Sequence, residues 1–412
     1  MSIFHNVRPP AEALELMLRH VNPLGAGELV PTSEALDRVT AAPVMAPHPL
    51  PFFRRGTMDG FAVRSADTHG ASASLPAMLS IVGEVLMGQS ATVDLRPGEA
   101  AVIHTGGHLP EAADAVVPIE DTQPLGDAEV EVLKSVALGE NVIQVGEDMA
   151  KGGQILPSGH WLRPQDIGAL LAFGLAEIPV VTRPRVALLS TGDELVSPSQ
   201  RKLQPGQIRD INSHTCAALT LRAGGSPDVL GIVADQWEAL QHAAAAALAL
   251  ADVLVLSAGS SVSVRDMTAR VIAGLGEPGI LFHGVAVRPG KPTIGAAVND
   301  KPVFGLPGNP VSAMNLFNLL VVPTIHHLLG CQNPPQPRQV QARVTRNVAA
   351  MPGREDHIAA RIVSRDGELW AEPVFGKSNL IHTLVRADGT FVIPLDAGGV
   401  TAGDWVTVRY FR

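Results

Sequence analysis

Thiols are scarce in this 412-residue chain: Cys216 and Cys331 are the only cysteines, and neither has a C-x-x-C partner. That scarcity argues against a disulfide framework and against a thiolate metal site. Positive charge is also short, with 31 Lys and Arg against 40 Asp and Glu and a net charge of -9. A nucleic-acid partner is therefore not expected, because affinity for a phosphate backbone rests on clustered Lys and Arg. Any anion must be captured locally. No apolar run approaches the ~20 residues that span a bilayer, and Met1 to Pro10 lacks a signal-peptide pattern. The expectation is a cytoplasmic protein with no membrane contact. A Walker signature, a G-x-G-x-x-G opening a helix and H-E-x-x-H are all missing too, so the commonest nucleotide and zinc signatures are not the guide here.

What the chain does have is a 46% apolar content, ample for several packed cores. Its organising stretch is Val186 to Leu189, flanked by Arg183-Pro184-Arg185 and by Ser190-Thr191-Gly192-Asp193-Glu194-Leu195. Four apolar residues running into a small, hydroxylated, acidic turn read as a buried parallel strand with chemistry at its carboxyl end. Val229 to Val233, Val253 to Leu256, Leu281 to Val287 and Val303 to Leu306 repeat the layout, with helical segments at Trp237 to Ala251 and Val311 to Leu329. Strands alternating with helices predict an open, doubly wound, mostly parallel α/β domain whose loops converge on one edge.

The flanks read differently. Leu14, Met17, Leu18 and Val21 predict an amphipathic helix, and Ser33 to Arg38 a short second one. From about residue 52 to 146, short β-prone runs punctuated by Gly and Pro (Leu79 to Val85, Ala100 to His104, Ala115 to Ile119, Glu129 to Leu133) predict a small inserted β domain. Gln165 to Phe173 reads as helix. After the proline-rich Asn333 to Pro337, strands with turns at Asp366-Gly367 and Asp388-Gly389 predict a small terminal β-barrel or sandwich.

The loops of the α/β region supply Glu194, Asp235 and Asp266 as carboxylates and Arg288 and Lys291 as cations, with Gly259, Gly290 and Gly308 allowing close backbone approach. Amides and cations suit an oxyanion, and carboxylates suit a Mg2+ bridging to it. Plainer readings compete: Asp235 with Glu238 as a capping box, Asp266 as the cap of a helix from Met267, Asp59-Gly60 as a tight turn, His104 and His108 in a stretch too rich in Gly for a helical metal pair, and His326 and His327 pointing to different faces. The residues by themselves lead as far as an anion-binding α/β enzyme.

Several motifs, in order along the chain, then carry a resemblance. They are Met58-Asp59-Gly60-Phe61-Ala62-Val63-Arg64, Thr105-Gly106 with Ala113-Asp114-Ala115-Val116-Val117, Gly146-Glu147-Asp148, Ser190-Thr191-Gly192-Asp193-Glu194-Leu195, Pro289-Gly290-Lys291-Pro292, and Gly305-Leu306-Pro307-Gly308-Asn309-Pro310-Val311-Ser312. The chain resembles the MoeA family of molybdopterin molybdenumtransferases, including the C-terminal domain of gephyrin, over nearly its whole length. The resemblance implies four domains: an elongated segment of residues 1–45 with 147–183, an inserted β domain at 46–146, the α/β domain at 184–330 and a C-terminal β-barrel at 331–412. It implies insertion of molybdate into adenylylated molybdopterin with release of AMP, assisted by Mg2+. It also implies a homodimer, and a molybdopterin adenylyltransferase as a further partner.

By matching position, the resemblance makes Asp59, Thr105, Asp148, Glu194, Asp235 and Asp266 catalytic, with Glu194, Asp235 and Asp266 as metal ligands. The matching substrate positions are Ser190, Thr191, Gly192, Ser257, Gly259, Ser261, Arg288, Pro289, Gly290, Lys291, Pro307, Gly308, Asn309, Pro310 and Ser378. There are departures. The family's Ser-Gly-Gly-Val-Ser-Val-Gly reads Ser257 to Ser263 with Ala258 and Ser263 in place of glycine, its Asp-Ser-Asn reads Asp210-Ile211-Asn212, and an arginine of the terminal domain is Ala359, with Arg361 on the same side of a strand. These departures keep open a paralogue that prefers tungstate, and from another class a non-catalytic pterin-binding or scaffold protein. Arg54-Arg55 stand where many members carry Asp and Asn, which suggests extra positive charge near the ligand's phosphates. Replacing both by Ala is then expected to weaken binding of the adenylylated pterin in a direct binding assay.

Overall fold

The computed structural model describes residues 7–258 and 262–411, and of residues 262–265 the backbone alone. It divides into two compact units, one comprising the chain up to Ala42, Ser158–Arg163 and Glu177 onward, the other Pro43–Pro157 and Pro164–Ala176.

In the first unit a six-stranded sheet contains β1 (Arg185–Thr191), β2 (Ser226–Val233), β3 (Val253–Ala258), β4 (Pro278–His283), β6 (Ile294–Val298) and β7 (Lys301–Pro307), in the order β2-β1-β3-β7-β6-β4. β2, β1, β3 and β7 run parallel, while β6 is antiparallel to both its neighbours. The near-continuous apolar runs of β1, β3 and β7 are buried because helices cover both faces. These helices include α1 (Asn212–Arg222), α2 (Trp237–Leu250), α3 (Val262–Ala273) and α4 (Pro310–Leu328). β1 connects to β2 on one side and β3 lies on the other, so the strand order reverses at β1 and β3. Ligands of such sheets bind outside the carboxyl ends of the strands at that reversal.

Two readings change here. Leu281 to Val287 is not one strand: β4 stops at His283, Gly284 turns the chain at a φ of 113°, and Val287–Arg288 forms a separate strand, β5. That strand pairs in parallel with β8 (Glu355–Arg365) of the terminal domain. β6, rich in Ala and Gly, was not anticipated, because its burial comes from its place between β7 and β4 rather than from large apolar side chains.

α4 is long and apolar enough to cross a membrane by length and composition alone. Its Leu316, Phe317, Leu320, Val321, Ile325 and Leu328 instead fill the core beneath the sheet. Residues Phe317–Val321 form a π-helical turn inside it. The terminal domain closes into a five-stranded barrel: β8 pairs with both Glu368–Pro373 and Gly389–Ile393, and Gln339–Val344 and Trp405–Tyr410 complete the ring. The Asp366-Gly367 turn joins its first hairpin, both residues at positive φ. Asp388-Gly389 is not a hairpin turn. Gly389 begins a strand, where a Cβ would lie 2.2 Å from the Arg409 carbonyl oxygen, and the Asp388 carboxylate accepts the Ile362 amide.

The second unit centres on a six-stranded sheet in the order Ala115–Pro118, Gly60–Val63, Glu99–Ile103, Ala77–Val85, Glu129–Val132, Thr122–Leu125. Apolar clusters pack on it, one around Phe61 and Val130 and one around Ile103 and Leu109. The chain's first helix runs Pro10–Leu18, ending before Val21, and the run at Ser33 yields only a 3-10 turn, Thr32–Glu34.

His326 of α4 lies edge-on to Trp161, and burial pushes its pKa from 6.5 down to about 4. The folded state resists protonating it, so as pH falls the unfolded chain takes up the proton first and stability is lost between pH 6.5 and about 4. Over that range the wild-type chain is expected to lose about 2–3 kcal/mol more than a His326→Phe variant, read from denaturant unfolding at stepped pH.

Candidate active site

The carboxyl ends of β1, β3 and β7 bring together Ser190, Thr191, Ser257 and Pro307, all buried. The loops that follow are laced by side chains. Thr191 Oγ1 donates to Asp235 Oδ1 at 2.6 Å, and the Asp235 amide donates to Asp193 Oδ1 at 3.2 Å. The capping-box reading of Asp235 is therefore replaced: Gln236 occupies the cap position of α2 without a side-chain bond. Asn212, at the start of α1, donates from Nδ2 to Ser257 Oγ at 2.9 Å and to the Gly308 carbonyl at 2.8 Å, tying the ends of β3 and β7 together. Among the described residues the Ser190 hydroxyl is buried without a hydrogen-bond partner, an uncommon state that a bound ligand would relieve.

The expected carboxylates are placed unequally. Glu194 is half-buried beside Gly192, Asp235 is engaged by Thr191, and Asp266 is exposed within α3 rather than at its start, so it is not a helix cap. Gly259 and Ser261 fall outside the described residues. Among the described residues no three His, Cys, Asp or Glu side chains gather closely enough to hold a metal ion. Glu194, Asp235 and Asp266 thus do not form a preassembled Mg2+ cage in this chain.

The cations gather elsewhere in the same unit, around a cavity of about 1300 Å³ between the α/β domain and the barrel. Arg288, Pro289, Gly290, Lys291, Pro307, Asn309 and Ser378 all line it. Gly290 is required there: its φ is 129°, and a Cβ would lie 1.7 Å from Leu316 Cδ2 of α4. Asn315 Nδ2 donates to the Pro289 carbonyl at 2.9 Å, Asn309 Nδ2 donates to Ser378 Oγ at 2.9 Å, and the Val311 amide donates to the Ser378 carbonyl at 3.1 Å. The start of α4 is thereby fastened to the barrel loop that carries Lys377 and Ser378.

Sequence reasoning passed over Lys377, Arg354 and Ser312, which also line this cavity. Asn212 gives no signal either, since Asp210-Ile211-Asn212 reads in the sequence only as a departure from the family motif. Ala359 lines the cavity too, whereas Arg361 lines an adjacent pocket with Arg346 and Arg386, so Arg361 does not replace the missing arginine. One residue pair further along the strand is enough to carry a side chain past Val374 and Phe375, which line both pockets.

Asp59, Thr105 and Asp148 belong to the second unit. Asp59 is not a hairpin turn residue. Its Oδ1 accepts the Thr105 amide at 2.7 Å and the Thr105 hydroxyl at 3.1 Å, and these bonds, amide first, hold its pKa below the usual carboxylate value. It is thus an ionised, exposed carboxylate of fixed orientation. Asp148 is exposed, its amide donating to the Leu50 carbonyl. His104 bonds Glu84, and His108 Nδ1 accepts the Ala91 amide. Arg54 donates to the carbonyls of Ala113, Pro110 and Glu111. It thereby also serves as a strut of its own domain.

Replacing Asn212 by Ala removes two bonds at the mouth of the sheet. It is expected to cost about 1–3 kcal/mol in denaturant unfolding, with lowered affinity for any ligand seated on the loops after β3 and β7.

Comparison with known proteins agrees with this geometry. The chain matches the family descriptions "MoeA N-terminal region (domain I and II)" over residues 8–174, "Probable molybdopterin binding domain" over 187–327 and "MoeA C-terminal region (domain IV)" over 341–411. It is 33% identical over 397 residues to the Bacillus subtilis (strain 168) protein named molybdopterin molybdenumtransferase, covering 95% of this chain and 92% of that one. It is 32% identical to molybdopterin molybdenumtransferase 2 of Mycobacterium tuberculosis (strain H37Rv), covering 95% and 96%. The crystal structure of the molybdopterin biosynthesis MoeA protein from Pyrococcus horikoshii OT3 superposes with a TM-score of 0.85 at 30% identity, covering 98% of this chain and 100% of that one. With relatives of this identity spanning almost its entire length, the chain belongs to the MoeA family.

Proposed function

We propose that this chain is a molybdopterin molybdenumtransferase, acting in molybdenum cofactor biosynthesis on adenylylated molybdopterin and molybdate and releasing AMP. The observation that carries the reading is the cation-lined cavity, with Arg288, Lys291, Arg354 and Lys377 on its wall in a protein of net charge -9. A small dianion is drawn to such a concentration of positive charge, and hydroxyls at Ser378 and Ser312 complement a tetrahedral oxyanion. Glu194, Asp235 and Asp266 do not line it, which avoids repulsion of molybdate by like charge.

In this reading the pterin and its pyrophosphate lie against the carboxyl ends of β1, β3 and β7, where Ser190, Thr191 and Ser257 offer hydroxyls and the Pro307-Gly308-Asn309-Pro310 loop offers backbone. Asn212 holds two of those loops at a fixed separation. Mg2+ would arrive with the substrate, coordinated mainly by phosphate oxygens and waters with one or two carboxylates such as Asp235, the usual mode for this ion. When bound it would offset the charge of the pyrophosphate. The reading also takes the protein to be a cytoplasmic homodimer, with Asp59 and Thr105 presenting a fixed anionic contact, and its adenylylated substrate to come from a molybdopterin adenylyltransferase.

The test is AMP release from adenylylated molybdopterin by the purified chain with Mg2+, with and without molybdate, and again with tungstate. Molybdate-dependent release is expected, and Arg288→Gln should raise the molybdate KM at least tenfold. Release that favours tungstate would identify the paralogue. Tight pterin binding without release under either oxyanion would identify a binding module and overturn the transferase reading.

A further inference from the structure

Asp356 is the most deeply buried carboxylate of the barrel, its side chain 0% exposed, and it does not line the cavity. Two arginines that do line it reach back to this one group. Arg288 approaches Asp356 Oδ2 from Nη1 at 3.3 Å, and Arg354 donates from Nε to Oδ1 at 3.1 Å. The first arginine belongs to the α/β domain and the second to the loop entering β8. The main chain sets up the meeting: β5 pairs with β8 in parallel register, Arg288 opposite Asp356, and the Glu355 amide donates to the Ala286 carbonyl at 2.9 Å.

A carboxylate buried without a cation would be costly, and one cation would suffice to neutralise it. Here there are two, so the trio keeps one net positive charge. The Arg288 side chain remains 59% exposed while one end of its guanidinium is held. The fork has five N–H donors, and one bond to Asp356 leaves others directed elsewhere. Ala359 on the same cavity wall adds no charge.

We propose that Asp356 is a positioning residue for oxyanion capture. From behind the cavity wall it orients Arg288 toward the bound oxyanion, and Arg354 supplies the second positive charge that prevents Asp356 from cancelling the first. The proposal rests on the assignment of Arg288 to the oxyanion made above.

Charge and orientation predict opposite signs for Asp356→Asn. If only net charge mattered, removing a carboxylate would tighten binding of an anion. If Asp356 orients Arg288, affinity falls although the site has become more positive. The experiment is calorimetric titration of the full-length folded protein with molybdate, for wild type, Asp356→Asn, Arg354→Gln and Arg288→Gln, with thermal unfolding measured in parallel. The expected result is a Kd raised about tenfold in Asp356→Asn, and raised severalfold in Arg354→Gln, where the lone carboxylate now neutralises Arg288. An unchanged or lower Kd in folded Asp356→Asn would overturn the proposal, whatever happens to its Tm. Should Asp356→Asn not fold, Asp356→Glu, which keeps the charge and displaces the carboxylate, decides: a raised Kd supports the proposal and an unchanged one overturns it. Arg288→Gln separates the two levels, because an unchanged Kd there would mean that Arg288 does not hold the oxyanion at all.

Discussion

Two residues of backbone pairing hold the cation site together. Val287 and Arg288 leave the α/β sheet after Gly284 and add themselves to the edge of the barrel, next to Glu355 and Asp356. Without that parallel pairing, Arg288 and Lys291 would sit on a loop of one domain and Arg354, Lys377 and Ser378 on another. With it, and with Asn309 and Val311 fastened to Ser378, all of them face one cavity. A strand shared between domains is stiff because its amides and carbonyls are satisfied only when both domains are in place. Placing cations on such a strand rather than on a free loop keeps them in position for a small, symmetric anion that offers little surface of its own to grip.

The α/β sheet solves a different problem. The carboxyl ends of β1, β3 and β7 offer hydroxyls and backbone in a row, which under the proposed function suits a pterin with a pyrophosphate. Order is imposed there by short polar links, Thr191 to Asp235 and Asn212 to Ser257 and Gly308. Asp235 illustrates the division of labour: a residue whose spacing to Glu238 is that of a capping box leaves the helix uncapped and braces a neighbouring loop instead. The cations of the cavity and the Thr191–Asp235 link are thus held by separate parts of one unit, which suits the proposed meeting of a negatively charged oxyanion with a negatively charged pterin.

Much of this was legible in the chain. The apolar runs of β1, β3 and β7 and the Gly-bearing turns after them announce a parallel sheet and the edge where ligands bind. Four strands of the inserted domain lie within a residue or two of where alternation and turn residues place them, while Gly60–Val63 and Thr122–Leu125 give no such signal, and Pro289-Gly290-Lys291 and Pro307-Gly308-Asn309-Pro310 mark loops that contribute to the cavity wall. Misreadings came where local pattern and tertiary demand diverge. Asp388-Gly389 has the composition of a hairpin turn, yet Gly389 is needed because the backbone of Arg409 passes where a side chain would be. Asp235 has the spacing of a capping box, yet it accepts the Thr191 hydroxyl instead of capping the helix.

Periodicity, turn chemistry and glycine placement act over a few residues at a time, so the layering and the direction in which the loops point follow from the amino-acid order alone. Which charges act together is settled on folding. Arg288 and Asp356 are 68 positions apart, and nothing in the spacing of either predicts that they share a strand register. Whether a carboxylate faces a ligand, braces a loop or lies buried behind two arginines is set by backbone pairing between distant segments, and that pairing exists only once the chain has folded.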